Sequence, residues 1–242
     1  MVALGQRVQD LSYSVDALSP MIYPSHYSTG WYGFEVPNDH PGPVVAGAID
    51  DGLERIEGEP AAELATDRWA ILASTFSSTA RVWFAYSLTG DPTGAWFKTS
   101  INVSQGADAG KWPDYPTLGL DANGIYTASY MVGGSNQMTI WSIDKAPLLA
   151  ATPSLGAVTA WRNLPWEGAI QPCVTYGDPG GVYLVSRRSW NSLRLRQITG
   201  PLTAPTLVQV GNPAVPGHSS PPDAPQKGTV ARLDSLDIRP MN

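Results

Sequence analysis

WAILAS (69–74), YTASYM (126–131) and YLVSRR (183–188) follow one another at 57-residue steps, and each reads as a β-strand of small, aromatic and branched residues. The strands after them keep nearly the same step. RVWFAYS (81–87), MTIWSID (138–144) and LRLRQI (193–198) set Trp83, Ile140 and Leu195 apart by 57 and then 55 residues. A third strand recurs as WFKTSINV (96–103), VTAWRNLP (158–165) and PTLVQVGN (205–212). A fourth enters each following unit as DYPTLGL (114–120), QPCVTY (171–176) and the stretch after Asp223-Ala224-Pro225-Gln226. Four strands recurring every ~40–60 residues predict β-propeller blades, units that bury their faces only against neighbouring units. A β-sandwich with accidental spacing is the competing architecture.

The expected repeats run 67–111, 112–166 and 167–218, with a fourth unit starting in 219–242. Propellers close with ~4–8 blades. About three four-stranded antiparallel blades therefore predict a partial, open propeller with apolar faces at both ends, and so self-association or a partner chain that completes it. Between the first two strands of the later units, Asp121-Ala122-Asn123-Gly124 and Asp178-Pro179-Gly180-Gly181 are expected to supply the positive φ of a tight hairpin.

Upstream of residue 58 the pattern differs. Residues 41–57 place Val45, Ala48, Ile49, Gly52, Leu53 and Ile56 at three- and four-residue steps, one apolar face of a helix capped by Asn38 or Asp39. Val15 to Tyr23 reads as a short strand, with a helix before it at 3–11. This small α/β segment (1–58) is joined by a linker, 59–66, to the repeats (67–242). In such a unit the loop after the strand's carboxyl end, Pro24 to His40, is the place for chemistry.

Composition narrows the function classes. Gly (24) and Pro (22) are too frequent for long helical bundles, and 15% charged residues with nine Trp exclude a disordered chain. Net charge is −6 with no Lys/Arg run, which argues against nucleic acid. No stretch reaches the ~20 apolar residues of a membrane span, and residues 1–10 lack the pattern of a secretory leader. The lone Cys173 reads as a buried hydrophobe. His26, His40 and His218 share no ligand spacing, so no metal is expected, and no phosphate loop or nucleophile elbow points to a cofactor or a serine nucleophile.

Ser19-Pro20-Met21-Ile22-Tyr23-Pro24-Ser25-His26-Tyr27, with Gly30-Trp31-Tyr32-Gly33-Phe34 and Pro37-Asn38, resembles a late β/α unit of a glycoside-hydrolase family with a TIM-barrel fold. The resemblance covers about 13–57 and implies the last part of a carbohydrate-active barrel. Thr89-Gly90-Asp91-Pro92-Thr93-Gly94-Ala95-Trp96 is similar to the Asp-box of sialidase-like propellers, with one extra residue before Trp96; Asp91 is expected to stabilise the turn. Residues 67–242 resemble propellers of uncharacterised extracellular bacterial proteins, which implies an extracellular or cell-surface parent.

Glycoside hydrolysis takes two convergent carboxylates, and the loop supplies Glu35 as the one weak catalytic candidate. Tyr23 and His26 are expected to hydrogen-bond sugar hydroxyls while Trp31 or Tyr32 stacks on a ring face. Asp114, Gln171, Asp223 and Gln226, at the starts of the inner strands, would face a propeller channel. The resulting expectation is a glycan-binding, carbohydrate-active fragment related to glycoside hydrolases and inactive alone. The alternative is a binding or scaffolding module for a surface protein or glycan.

Overall fold

The computed structural model describes residues 27–40, 42–44, 47–48, 68–75, 79–91, 93–175, 180–220, 222–225, 230 and 232–233. The helix expected at 3–11, the strand at 15–23, the linker, Tyr23, His26 and Gln226 lie outside them, as does most of the helix expected over 41–57.

The chain is mainly β. Strands β1 (Ala70–Ser74), β2 (Arg81–Ser87) and β3 (Trp96–Asn102) form a first antiparallel sheet in chain order. Strands β4 (Trp112–Leu120), β5 (Gly124–Val132), β6 (Gln137–Asp144) and β7 (Val158–Leu164) form a second, and β8 (Ile170–Pro172), β9 (Val182–Ser189), β10 (Ser192–Thr199) and β11 (Thr206–Gly211) a third. A short pair, β12 (Ala224–Pro225) and β13 (Arg232–Leu233), follows.

The repeat is regular in its pairing. Ala70 faces Tyr86, Tyr126 faces Ser142 and Val182 faces Ile198, which puts the hairpin midpoints at residue numbers 78, 134 and 190, 56 apart each time. Side-chain direction does not follow that step throughout. Ala70 and Leu72 pack toward the second sheet, and Tyr126 and Ala128 toward the third, but Val182 and Leu184 point back at the second sheet. Alternation along a strand then aims Tyr183 the other way. Tyr126 and Tyr183 therefore share the forward direction, while Trp69 precedes β1 by one residue and Ala70 holds the matching place. A register slip at Ser192/Leu193 near the tip of the third hairpin accompanies the one-residue change, and a single residue is what flips a strand's faces.

The sheets pack face to face. Leu72, Phe84 and Tyr86 of the first meet Leu118, Ile125, Trp141 and Ile143 of the second. On its other side Tyr126, Met138 and Ile140 meet Ile170, Val182, Leu184 and Ile198. Sheet two is covered on both faces, so β5 and β6 are buried almost end to end. Each large apolar side chain removed from water there contributes about 1.5–3 kcal/mol. β4 and β8 approach closely: a Cβ on Gly119 would lie 2.6 Å from the Pro172 carbonyl oxygen. Three further links tie β4 to β8 and its continuation: Thr117 Oγ1 to Ile170 O (2.7 Å), Gln171 Nε2 to Leu118 O (3.1 Å) and Thr175 N to Leu120 O (2.8 Å).

The outer face of the first sheet is met by the N-terminal segment, where Ala48, Tyr27 and Tyr32 pack on Ile71, Ala73 and Ala85. Residues 42–44 and 47–48 are helical. The first helical bond runs from Val44 N to His40 O, so His40 holds the cap position expected of Asn38 or Asp39. Those two residues belong instead to a 3-10 turn, Pro37–Asp39. Ala48, a member of the expected apolar face, is buried, and so is Val44 one turn before it; the other members of that face lie outside the described residues.

One expected turn uses other chemistry. Gly180 and Gly181 have φ of +78° and +142°, but neither Asn123 nor Gly124 is left-handed. At 121–124 the Asp121 carboxylate accepts the N–H groups of Asn123 (2.8 Å) and Gly124 (2.7 Å) and the Tyr126 hydroxyl (2.9 Å). A side-chain cradle closes that loop, and Gly124 is needed for space: a Cβ there would meet Leu202 Cδ1 at 2.4 Å. Asp91 likewise accepts Thr93 N (2.9 Å) and Thr93 Oγ1 (2.7 Å), bonds that hold its carboxyl below the ordinary value.

Candidate functional site

Buried carboxylates mark one end of the second and third sheets. Asp108, in the β3–β4 connection, is fully buried and bound by Gln137 Nε2 (2.5 Å) and Thr139 Oγ1 (2.9 Å) of β6, with Arg162 Nε at 3.1 Å. Glu167, in the β7–β8 connection, is bound by Ser186 of β9 and by Arg194 and Arg196 of β10. Arg194 and Arg196 stand 57 residues after Gln137 and Thr139, so one latch recurs with different partners.

Burial raises the Glu167 carboxyl, but hydrogen bonds from Arg196 and Ser186 and the charges of Arg196 and Arg194 outweigh it and hold the group below its usual value. A carboxylate fixed in this way neither protonates a leaving group nor attacks. Its role is to tie the connection to β10.

The residue before it turns outward. Trp166 is 50% exposed, and its ring meets Tyr130 edge-on at 6.5 Å. Tyr130 lies opposite Asp114 on β4. Burial, then the charge of Asp114, pushes its phenol up, so the hydroxyl stays a hydrogen-bond donor. There β4 bulges between Asp114 and Thr117, and Tyr115 takes a φ of +50° with its N–H on Asp114 Oδ1 (2.9 Å). Left-handed backbone at a bulky residue costs about 1–3 kcal/mol and collects at functional sites. A half-exposed indole beside a phenol and a carboxylate suits a pyranose, whose C–H face stacks while its hydroxyls meet oxygen partners.

A second aromatic group lies in the N-terminal segment. Trp31 is 43% exposed and meets Tyr27 (5.2 Å) and Tyr32 (5.9 Å). Tyr32 turns inward onto the first sheet, and Gly47 lies against its ring. Of the two stacking candidates, Trp31 is the one presented to solvent. Glu35 is exposed, and the ring of His40 stacks on Phe34 at 4.2 Å.

Gln171 is buried, its amide donating to Leu118 O and Pro172 O. Asp223 is exposed and its carbonyl accepts from Arg232. Of the channel candidates among the described residues, Asp114 is the one beside the exposed aromatics. Trp166, Glu167 and the latch arginines escaped sequence reasoning; for the arginines the signal was the 57-residue offset from Gln137 and Thr139, hidden because Gln and Thr are replaced by Arg.

Cys173 is half-buried, and burial pushes its thiol up, which suits an inert side chain. Among the described residues no group of three His, Cys, Asp or Glu could hold a metal ion, and no helix is long and apolar enough to cross a membrane.

Residues 1–67 match a family model described as "Putative glycosyl hydrolase domain". That stretch is glycoside-hydrolase-like, and it contains Trp31, Tyr32 and Glu35. No curated protein matches the chain.

Proposed function

We propose that this chain is a carbohydrate-active protein that binds glycans and does not hydrolyse them on its own. The observation that carries the reading is the exposed Trp31, on its tyrosine support, inside the glycoside-hydrolase-like stretch. Trp166 with Tyr130 and Asp114 offers a second platform. Inactivity is argued from carboxylate chemistry: a glycosidase needs an acid and a nucleophile or base on one bond, and the buried Asp108 and Glu167 are spent on latches.

The finer architecture belongs to the same proposal. The three sheets are blades of a partial propeller, 67–111, 112–166 and 167–218 with a fourth unit beginning after 218, preceded by a barrel-like segment (1–58) and a linker (59–66). Close inner strands and the 56-residue hairpin step support it. A parent protein at the cell surface would put these platforms among polysaccharides. A second reading, a scaffold for a surface protein, is favoured by the exposed Val208 and Val210 on β11.

Affinity electrophoresis of the full chain in gels cast with plant and bacterial polysaccharides, beside release of reducing sugar, tests the proposal. The expected result is retardation by at least one polysaccharide, weakened by Trp31→Ala or Trp166→Ala, with no sugar released. Turnover abolished by Glu35→Gln would reverse the inactivity claim, and no retardation in any gel would leave the scaffold reading.

A further inference from the structure

The hairpin of β9 and β10 ends in Trp190, 44% exposed and firmly braced. The segment 213–218 wraps the tip: Leu193 N donates to Pro213 O (3.0 Å), Val215 N to Asn191 O (2.9 Å) and His218 N to Trp190 O (2.9 Å), and Ser192 bridges Ala214. On this fixed indole the Arg187 guanidinium lies 4.6 Å from the ring centroid, and the His218 ring meets it at 5.5 Å. A cation held over an aromatic face loses little freedom on binding an anion.

Charge says which ligand. From Val182 to Pro222 the sequence holds four arginines, one histidine and no acidic residue, in a chain of net charge −6. Glu167 engages Arg194 and Arg196. Arg187 and Arg188 form no ion pair among the described residues. A guanidinium stacked on an exposed indole, with no ion pair among the described residues and with the exposed Arg188 next to it in sequence, matches a ring that carries a carboxylate: the indole takes its apolar face and the planar fork its two oxygens.

We propose that the Trp190 tip binds uronate-containing, acidic polysaccharide, with Arg187 and Arg188 pairing sugar carboxylates. This rests on the glycan-binding reading and names its ligand class. A neutral glycan has no use for the guanidinium. A sugar carboxylate offers the planar fork two coplanar oxygens, and nucleic acid, the other polyanion, is separated from it by the test below.

The test is calorimetric titration of the full chain with polygalacturonate, with dextran as neutral polymer and a single-stranded DNA oligonucleotide as a second polyanion. Polygalacturonate is expected to bind, about tenfold more weakly in Trp190→Ala and in Arg187→Gln/Arg188→Gln, and to lose affinity as salt rises from about 50 to about 500 mM. Circular dichroism checks each variant's fold; should Trp190→Ala fail to fold, Arg188→Gln alone, at an exposed position, carries the comparison. Polygalacturonate binding insensitive to these variants, or equal binding of dextran, would overturn the assignment and leave general glycan binding in place. Preferential DNA binding would also overturn it. No binding of any polysaccharide, here or in the gels above, would remove both.

Discussion

Glu167 and Arg196 meet at two points: Nη1 and Nη2 of the arginine each donate, at 2.7 Å, to a different oxygen of the carboxylate. Both residues are at most 5% exposed, and the pair fastens the β7–β8 connection to β10 across 29 residues of sequence. Two-point pairing fixes orientation as well as distance.

Glu167→Gln is therefore expected to destabilise by about 3–5 kcal/mol, because it leaves buried guanidinium charge uncompensated. Glu167→Leu with Arg196→Met removes both charges of this pair, leaving unpaired only the part-exposed Arg194, and should cost less. Urea unfolding curves of the two variants read the difference, and equal losses would contradict the pairing.

The same group predicts an acid limb. Its folded value is depressed, so the stabilisation is present above the unfolded value, near 4.5, and is lost as pH falls below it. Unfolding free energy measured between about pH 6 and 3 should drop less steeply in Glu167→Gln than in the parent chain.

Tyr126 should be silent in an alkaline titration. Burial, then the charge of Asp121 and the bond to it, lifts the phenol far above the ordinary 10.0. Tyr126→Phe should leave the phenolate absorbance gained up to about pH 11 unchanged and cost about 1.5 kcal/mol of stability. The linkage sign is that of a raised value: the contact's contribution is whole below pH 10 and is lost as pH climbs past it.

Two glycines separate packing from flexibility. Gly119→Ala would press a methyl against the Pro172 backbone at 2.6–2.7 Å, which should cost about 1–3 kcal/mol or more. Gly211→Ala meets nothing within 4 Å and should be neutral or stabilising by less than about 1 kcal/mol. Thermal melts of both variants check the contrast.

Strands were legible because alternation and turn residues are local. WFKTSINV, VTAWRNLP and PTLVQVGN became Trp96–Asn102, Val158–Leu164 and Thr206–Gly211. Facing was not, since Trp69 and Ala70 differ by one residue and only cross-strand pairing decides which of them looks at the next sheet. The cap at His40 was missed for a similar reason: Asn38 and Asp39 have the better capping side chains, yet a 3-10 turn takes them first. Trp31 could be read as a platform from its neighbours in sequence. Trp166 could not, because its support, Tyr130, comes from another strand of the fold.

The even spacing of the hairpin midpoints bears on how such a chain grows. Tandem duplication of one period inserts a whole sheet in phase with its neighbours, while a gain or loss of single residues inside a hairpin inverts its inward and outward side chains. Length variation is then expected to gather in the connections between sheets, where an added or lost residue leaves the facing of every strand unchanged.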